Sequence, residues 1–404
     1  MKSDYIKNFE KMGLGLFVHF GLYSILQKGE WYYSVLTTNE ERQKYFDLSK
    51  KFKVSKNFAK DVVKTAKAMG AKYIALTTRH HEGFSLFDTK GLSDFDIMHS
   101  PTERDIVKEF ADECHKNGIV PFFYHTLLDW HHPDFNNNFP KYIDYLVDSV
   151  ELLCRNYGKV GGFWFDGFWS KPNEDWQFDR LYGTIRKYQP EAMIINNTGL
   201  DERGKVGHYE IDSVTFERGK PVKVNSEDGK ERAGEVCNSL TDHWGNAPLD
   251  VHYMSVPDLI DLMVECRYNG CNLIINGGIE KNGLVKGVDK GILSTFGIWM
   301  HKHEHIMRNC VASDITADNA LIFTDGTYHY AVIKNVPLIA TLNVVEAKNL
   351  PFIRIHTDKK ITQACCYDDK KTKIKVDNKT KSFQMPAFPY GVSLYTRIIR
   401  FKLK

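Results

Sequence analysis

The chain has 404 residues and 42% of them are hydrophobic, which is enough for one barrel-sized domain followed by a smaller one. Its 54 Lys and Arg residues nearly balance 51 Asp and Glu residues, and the lysines are scattered, which argues against nucleic acid as a partner. The sequence contains neither a stretch long and apolar enough to cross a bilayer nor a nucleotide-binding glycine motif after a strand, so we expect no membrane span and no cofactor.

The cysteines indicate a reducing compartment. None of the eight forms a C-x-x-C pair with matching His spacing, and several lie in apolar runs, where a free thiol behaves as a small hydrophobe. The first residues also lack an apolar signal core. We therefore expect a cytoplasmic protein without disulfides, unless a leader has been trimmed from the chain.

The first three-quarters of the chain alternates short apolar strands with amphipathic helical segments. Most of the strands end on polar residues, as expected of strands buried on both faces of a parallel sheet. They are predicted at residues 14–20, 73–78, 120–125, 161–166, 192–197, 212–217, 235–240 and 272–277. Eight such strands predict an α/β fold with a (β/α)8-like barrel over residues 1–310. The connections after the fifth and sixth strands are irregular, so we expect some helices to be missing there.

The pattern changes at about Val311. Residues 320–324 and 328–334 flank an Asp325-Gly326 turn, which is a strong hairpin signal. Residues 339–345, 361–367 and 391–401 are also typical of strands, without a helical period between them. We therefore predict a small antiparallel β-sandwich domain over residues 311–404.

Polar residues collect at the carboxyl ends of the predicted barrel strands, where barrel enzymes carry their reactive groups. They are His19, Arg79, His80, His81, Glu82, Tyr124, His125, Asp166, Asn196, Asn197, Glu217, Glu235 and Asn276. Such a rim is suited to a polyhydroxylated ligand, because hydroxyls need donors and acceptors and the apolar face of a sugar packs on aromatic rings.

Two carboxylates in this set could hydrolyse a glycoside. Asp166 lies in an aromatic segment at a strand end, which indicates a nucleophile or general base, although a turn Asp before Gly167 is an equally common arrangement. Glu217 ends the sixth strand and is the first candidate for the second carboxylate, with an ion pair to Arg218 as its alternative role. Glu235 is the rival candidate, but it begins its predicted strand and so points to the stabilising face.

The histidine clusters do not predict a metal site. Adjacent residues on a strand point to opposite sides, so His80 and His81 could share one ion only if the chain bends. The cluster at residues 301–305 follows a helical stretch and is interpreted as a solvated helix end. Residues 129–132 either line the site or shape its loop.

Several motifs together resemble the α-L-fucosidases of glycoside hydrolase family 29. They are Gly15–Ser24 with Glu30-Trp31-Tyr32, residues 72–84 with the paired histidines, Tyr124 with Asp129-Trp130, Trp164–Gly167, Trp244-Gly245 and residues 270–276. The sequence departs from the family at Asn196–Gly199, where many members carry an Arg, and at Gly234 and Asn246, which replace a Trp and a Tyr.

The resemblance implies retaining exo-hydrolysis of terminal α-L-fucose from a fucosylated oligosaccharide or glycoconjugate, without a metal. Asp166 would form the covalent fucosyl-enzyme intermediate, and Glu217 would be the acid/base, with Glu235 as the runner-up. The implied sugar-binding residues are His19, Glu30, Trp31, His80, His81, Tyr124, Trp164 and Trp244. Two other functions remain open: hydrolysis of a related α-L-galactoside, which a pocket packed against Trp244 would reject only weakly, and glycan binding by a catalytically dead barrel. The sequence indicates neither the linkage preference nor the oligomeric state.

Overall fold

The structure is a computed structural model that describes residues 2–198, 200, 204–224, 228–333, 352–368, 372–385 and 397–404. The chain divides into two compact units, Met1–Met254 with Cys271–Thr295, and Ser255–Gly270 with Phe296–Lys404. The predicted boundary between residues 310 and 311 stays a prediction.

The helices are α1 (Asp4–Met12), α2 (Tyr23–Leu26), α3 (Asn39–Phe46), α4 (Phe58–Met69), α5 (Ile106–Lys116), α6 (Asp134–Asn137), α7 (Phe139–Asn156), α8 (Phe178–Tyr188), α9 (Val256–Tyr268), α10 (Gly287–Lys302) and α11 (Glu304–Asn309).

Eight parallel strands close into a barrel in the first unit, as predicted. They are β1 (Leu14–Val18), β2 (Tyr73–Arg79), β3 (Val120–Thr126), β4 (Gly162–Asp166), β5 (Met193–Asn196), β6 (Ser213–Thr215), β7 (Ala233–Ser239) and β8 (Cys271–Asn276). Each strand pairs with the next along the chain, and β8 pairs with β1 to complete the ring. All seven residues of β2 are buried, which agrees with its apolar start and its polar end at the mouth of the barrel.

The helices that follow the early strands are amphipathic. In α4 the side chains of Phe58, Val62 and Ala66 are buried on one face, and Gly70 ends the helix with a left-handed φ of 84°. Between β5 and β6, and between β6 and β7, the described residues include no α-helix. The expectation that the barrel lacks helices after its fifth and sixth strands is therefore confirmed for the part of the chain that the structure describes.

The interior of the barrel is packed with large side chains. Tyr73, Phe122 and Trp164 belong to one buried cluster that also includes Ile6 and Phe9 of α1. The backbone carbonyl of Phe9 accepts a hydrogen bond of 2.7 Å from the Asn272 side chain in β8. Helix α1 therefore packs against the barrel interior, and the carboxyl ends of the strands remain the open end.

The second unit carries an antiparallel sheet with a buried core, in agreement with the predicted β-sandwich. Its strands are β9 (Val311–Ala312), β10 (Thr316–Ala317), β11 (Ala320–Thr324), β12 (His329–Ile333), β13 (Phe352–His356), β14 (Ile361–Cys366), β15 (Val376–Asp377), β16 (Ser382–Gln384) and β17 (Arg397–Leu403). The predicted hairpin is present as β11 paired with β12 around Asp325 and Gly326. The predicted strand at residues 339–345 lies outside the described residues, as does the start of the one predicted at 391–401.

One expectation for the second unit is wrong. His303 is fully buried between α10 and α11, and its Nε2 atom lies 2.8 Å from Asp368 Oδ1, so this part of the histidine cluster is not a solvated helix end. All eight cysteines are buried, and none of them is in a disulfide. No helix among the described residues is sufficiently long and apolar to cross a membrane.

Candidate active site

A cavity lies at the carboxyl ends of the barrel strands. It encloses about 480 Å³ of empty space including its mouth. Nine residues that the sequence predicted as site residues line it: His19, Trp31, His80, His81, Tyr124, Trp164, Asp166, Glu217 and Trp244. The sequence did not single out three further lining residues, Phe17, Trp169 and Leu200.

Asp166 is the last residue of β4, and its carboxylate is held by hydrogen-bond donors. The Tyr124 hydroxyl donates to Oδ2 at 3.0 Å, and the backbone N–H of Gly167 donates to Oδ1 at 3.0 Å. Gly167 has a φ of 95°, and a Cβ atom there would lie 2.6 Å from the backbone nitrogen of Leu128. The turn after β4 therefore requires glycine.

The surroundings of Asp166 influence its pKa in opposite directions. Burial raises the pKa of this carboxyl and the carboxylate of Glu217 raises it further, with a net shift upward. Hydrogen bonds from Tyr124 and Trp169 lower the pKa further toward its ordinary value. The donors around Asp166 thus favour the ionised form that a nucleophile needs.

Glu217 follows β6 and faces the same cavity. The Asn197 amide donates to its Oε2 atom at 2.6 Å, and the Thr215 hydroxyl in turn donates to Asn197 Oδ1 at 2.8 Å, which fixes the orientation of that amide. Burial raises the pKa of Glu217, and the hydrogen bond from Asn197 and the charge of Arg218 lower it, leaving a net upward shift. The Arg218 guanidinium also lies 5.0 Å from the ring centroid of Trp244.

Glu235 is placed differently from the sequence expectation. Its strand begins two residues earlier than predicted, at Ala233, and its side chain points into the barrel interior instead of lying at the stabilising face. The indole N–H of Trp164 donates to its Oε2 atom at 2.9 Å, and the Tyr73 hydroxyl donates to Oε1. Glu235 is fully buried and does not line the cavity, whereas Glu217 does.

Two histidines have their ring protons fixed by neighbours. The Asn276 amide donates to the carbonyl oxygen of Trp244 at 2.8 Å, so its Oδ1 atom must accept the Nδ1 proton of His19, at 2.8 Å. Likewise the Thr126 hydroxyl donates to the Leu128 carbonyl at 2.6 Å and accepts from His81 Nδ1 at 2.7 Å. Because burial lowers the pKa of both rings, each is neutral and keeps a lone pair on Nε2.

His80 and His81 both line the cavity, although adjacent strand residues should diverge. The chain bends where β2 ends: the Gly83 N–H donates to the His80 carbonyl at 2.9 Å, and Gly83 has a φ of 84°. The two ring centroids are 4.2 Å apart. The bend therefore overturns the assumption that the two side chains point to opposite sides.

Other predicted residues lie behind the lining. Glu30 is buried outside the cavity, where its Oε2 atom accepts the backbone N–H of Gly245 at 2.7 Å. Asp129 accepts the backbone N–H groups of His131 and His132 at 2.9 and 2.8 Å, so it shapes its loop. Glu30 is thus placed to support the segment that carries Trp244.

Aromatic rings border the mouth of the cavity. Trp31 is 41% exposed, and its ring centroid is 5.6 Å from that of Trp169 and 5.3 Å from that of Trp130. Both Trp31 and Trp169 meet the His81 ring edge to face. Trp169 could have been predicted as a site residue, because it belongs to the aromatic segment around Asp166. Leu200 could not, because it lies in an irregular connection without a recognisable motif.

The cavity as a whole combines two carboxyl groups, imidazole lone pairs, a phenol and indole walls. This set could orient a sugar by its hydroxyls, pack its apolar face and act on its anomeric carbon.

Comparison with known proteins identifies what the chain is similar to. The α-L-fucosidase family model matches residues 2–305. Human tissue α-L-fucosidase is 25% identical over 323 residues, which cover 72% of this chain and 66% of that protein. The chain spans 62% of the length of a relative from Caenorhabditis elegans, so it covers somewhat less than two thirds of these relatives.

Solved structures match over the whole length of the chain. Isoenzyme 1 of the α-L-fucosidase from Paenibacillus thiaminolyticus is 26% identical with a TM-score of 0.83, and the match covers 99% of both chains. An α-L-fucosidase of glycoside hydrolase family 29 from Bacteroides thetaiotaomicron, trapped as a covalent intermediate, is 20% identical with a TM-score of 0.81. The latter likeness concerns the fold, and covers 100% of this chain and 97% of that one.

Proposed function

The chain belongs to the α-L-fucosidase family, and from this membership we propose that it hydrolyses terminal α-L-fucosidic bonds of glycans with retention of configuration. The observation that carries the proposal is that Asp166 and Glu217 line one cavity in different surroundings. Burial is the largest influence on both carboxyls and raises both pKa values, and the charge of Glu217 raises the pKa of Asp166 further. Two neighbouring carboxyls that oppose each other's ionisation favour a state with one carboxylate and one acid, which is the state that a retaining glycosidase needs.

The first step transfers the sugar to Asp166. Its Oδ2 or Oδ1 atom attacks the anomeric carbon, the bond to the leaving oxygen breaks, and Glu217 gives its proton to that oxygen. The Tyr124 hydroxyl, 3.0 Å from Oδ2, holds the carboxylate in place during the attack. The product is a fucosyl ester of Asp166 and a free aglycone alcohol.

The second step releases fucose. Once Asp166 is esterified it no longer carries a charge, so the Glu217 carboxylate formed in the first step meets no repulsion from it and acts as the general base. It takes a proton from water, whose oxygen attacks the anomeric carbon and displaces Asp166. The Asn197 hydrogen bond at 2.6 Å keeps the Glu217 carboxylate oriented through both steps.

The remaining walls select the sugar. His19 and His81 present Nε2 lone pairs, which accept hydrogen bonds from sugar hydroxyls. The indole rings of Trp164 and Trp244 provide apolar surface for the ring face and the C5 methyl group. As a further part of the proposal, the substrate is a fucosylated oligosaccharide or glycoconjugate.

We also propose that the protein works in the cytoplasm, which the eight buried cysteine thiols support, since none of them is in a disulfide.

The test is hydrolysis of an aryl α-L-fucoside by the wild-type chain and by Asp166→Ala, Glu217→Ala and Glu235→Ala, with and without azide. Wild type should release the phenol, and Asp166→Ala should lose about 10⁴-fold or more in kcat. Azide should restore turnover in Glu217→Ala by attacking the fucosyl enzyme, giving a glycosyl azide of retained configuration.

The stereochemistry of the azide product separates the roles. Azide attacking the substrate directly in Asp166→Ala gives the inverted glycosyl azide, because a single displacement replaces two. Retained azide from Glu235→Ala instead of Glu217→Ala would move the acid/base role to Glu235. A wild-type protein that binds fucosides but cleaves none would refute the proposed activity, and parallel assay of an α-L-galactoside would show whether the glycone is different.

A further inference from the structure

A buried pair of polar atoms behind the cavity has no partner. His80 Nδ1 and Glu82 Oε2 face each other at 3.6 Å, and both residues are almost completely buried. Among the residues that the structure describes, neither atom has a hydrogen-bond partner. Leaving two such atoms unpaired is costly, so a proton shared between them after a small approach is the simplest way to satisfy both.

The orientation of Glu82 is fixed by its other oxygen. The backbone N–H of Leu22 donates to Oε1 at 3.0 Å, which leaves Oε2 turned toward His80. A Cβ atom at Gly21 would lie 2.2 Å from Oε1, so the glycine is what lets this carboxyl approach the backbone. His80 lines the cavity, and because its Nδ1 atom is turned to Glu82, Nε2 is the ring nitrogen available to a sugar.

We propose that Glu82 is a positioning residue that holds a proton against His80 Nδ1 and thereby makes His80 Nε2 an N–H donor to the bound sugar. This inference rests on the proposed function, since it assigns His80 a role in binding fucose. It also distinguishes His80 from His19 and His81, whose Nδ1 protons are already given to Asn276 and Thr126. The cavity would then offer two imidazole acceptors and one imidazole donor.

The protonation state of the Glu82–His80 pair decides whether His80 Nε2 donates or accepts a hydrogen bond. When the pair carries no net charge, it is either a carboxylic acid with a neutral ring or a carboxylate with a protonated ring, and Nε2 bears hydrogen in both cases. When the pair loses one proton, the remaining ring proton is drawn to Nδ1 by the carboxylate. Nε2 then has only a lone pair. The sugar thus meets a donor in the neutral pair and an acceptor in the anionic pair.

The surroundings favour the neutral pair at pH 7. The pKa of Glu82 is raised to about 8, and burial is the largest cause. The backbone donors lower this pKa, and the charge of Asp129 raises it. Burial lowers the pKa of His80 to about 3. The charge of Glu82 also acts on the Tyr23 and Tyr45 hydroxyls, and neither ionises in this range because burial raises their pKa values well above 10. Loss of the shared proton is therefore expected near pH 8.

The first experiment measures binding of L-fucose, an uncharged ligand, by calorimetry from about pH 6 to about pH 10. In wild type, Kd should rise roughly tenfold above pH 8 as Nε2 stops donating. In Glu82→Gln this rise should be absent: Leu22 N–H still needs the side-chain oxygen, so the amide N–H₂ is directed at His80 Nδ1 at every pH. Glu82→Leu should bind roughly tenfold more weakly at pH 7, with glutamine restoring the affinity.

Glu40→Gln is the matched control, because Glu40 is an exposed residue of α3 paired with Lys44. It should keep the wild-type pH dependence. An alkaline rise that persists in Glu82→Gln, or wild-type affinity in Glu82→Leu, would overturn the assignment. Circular dichroism and thermal unfolding confirm that each variant is folded.

A second measurement needs no ligand. Long-range ¹H–¹⁵N spectra of histidine-labelled protein, with His80→Asn used for assignment, report which ring nitrogen bears the proton. At pH 7 the His80 Nε2 atom should be protonated, and the proton should move to Nδ1 above about pH 8. A ring protonated only at Nδ1 at pH 7 would refute the inference. If the chain binds no fucose, the proposed function fails while these spectra still decide the state of His80.

Discussion

Glu235 supports Trp164 from inside the barrel: its Oε2 atom accepts the indole N–H at 2.9 Å, directly behind the ring that forms a wall of the cavity. The carboxyl is fully buried, and its second oxygen accepts from the Tyr73 hydroxyl. Burial outweighs these two donors and raises the pKa of Glu235 to about 7. Glu235 is therefore placed to hold a binding wall, and the link to Trp164 connects its protonation to both stability and substrate binding.

Replacing Glu235 by glutamine should change how stability depends on pH. A carboxyl whose pKa is higher in the folded than in the unfolded state stabilises the fold fully below about pH 4.5, and that contribution is lost as pH rises through about 7. For this shift the loss is roughly 3 kcal/mol in the free energy of unfolding. Denaturant unfolding of wild type and Glu235→Gln at pH 4.5 and pH 8 measures it. Equal pH slopes in the two proteins would show that the pKa of Glu235 is not raised in the fold.

Asn197→Ala should shift the alkaline limb of the kcat/KM profile to higher pH. The Asn197 amide donates to Glu217 and lowers the pKa of that carboxyl, so removing it raises the pKa and keeps the acid protonated further into the alkaline range. Asn196→Ala is the control, since the Asn196 amide donates to the Tyr182 hydroxyl instead. A limb that stays in place in Asn197→Ala, or moves in the control, would contradict Glu217 as the acid.

Trp169→Phe should shift the acidic limb of the kcat/KM pH profile. The Trp169 indole lowers the pKa of Asp166, so phenylalanine raises this pKa and moves the acidic limb of kcat/KM to higher pH, because the nucleophile must be ionised. Trp176→Phe removes an indole N–H from the same loop, one that donates to the Lys171 carbonyl at 2.9 Å. The control should leave the limb unchanged. The initial rates of aryl fucoside hydrolysis across the acidic range provide the measurement.

Gly167→Ala should cost both stability and activity. The left-handed φ of 95° and the 2.6 Å approach to the Leu128 nitrogen together predict a loss of about 1–3 kcal/mol in the free energy of unfolding, with Asp166 displaced. Gly326→Ala is the control for the cost of the left-handed backbone alone, because Gly326 has a φ of 84° and open space around its Cβ position. Thermal unfolding and kcat compare the two. Similar activity losses in both variants would mean that the contact with Leu128 is not what positions the nucleophile.

The barrel was predictable because its strands are buried on both faces and therefore appear as short apolar runs that end in polar residues. The same rule placed Asp166 and Glu217 at one mouth. The position of Glu235 could not be predicted, because it depends on long-range contacts. Its carboxyl accepts hydrogen bonds from Tyr73 and Trp164, which lie 162 and 71 positions away along the chain. No local pattern reports such pairs.

The bend that brings His80 and His81 together was missed for a different reason. It depends on the left-handed conformation of Gly83, and a glycine after a strand is compatible with many turns. In the second unit, β13 at Phe352–His356 went unpredicted although its burial alternates residue by residue. Its exposed members are Phe352, Arg354 and His356, so the apolar character of Phe352 hid the alternation.

The helix-poor connections on either side of β6 have a consequence for how this protein can diversify. Glu217 follows a strand of only three residues, and the described parts of both flanking connections are irregular. An insertion or deletion in such a segment needs no helix to be refitted against the barrel, so its length can drift at little cost to folding. Most of the residues proposed to hold the sugar lie instead on or after β1 to β4, whose connections contain amphipathic helices. Selection can therefore change the length of the segments around Glu217 with little effect on that part of the rim.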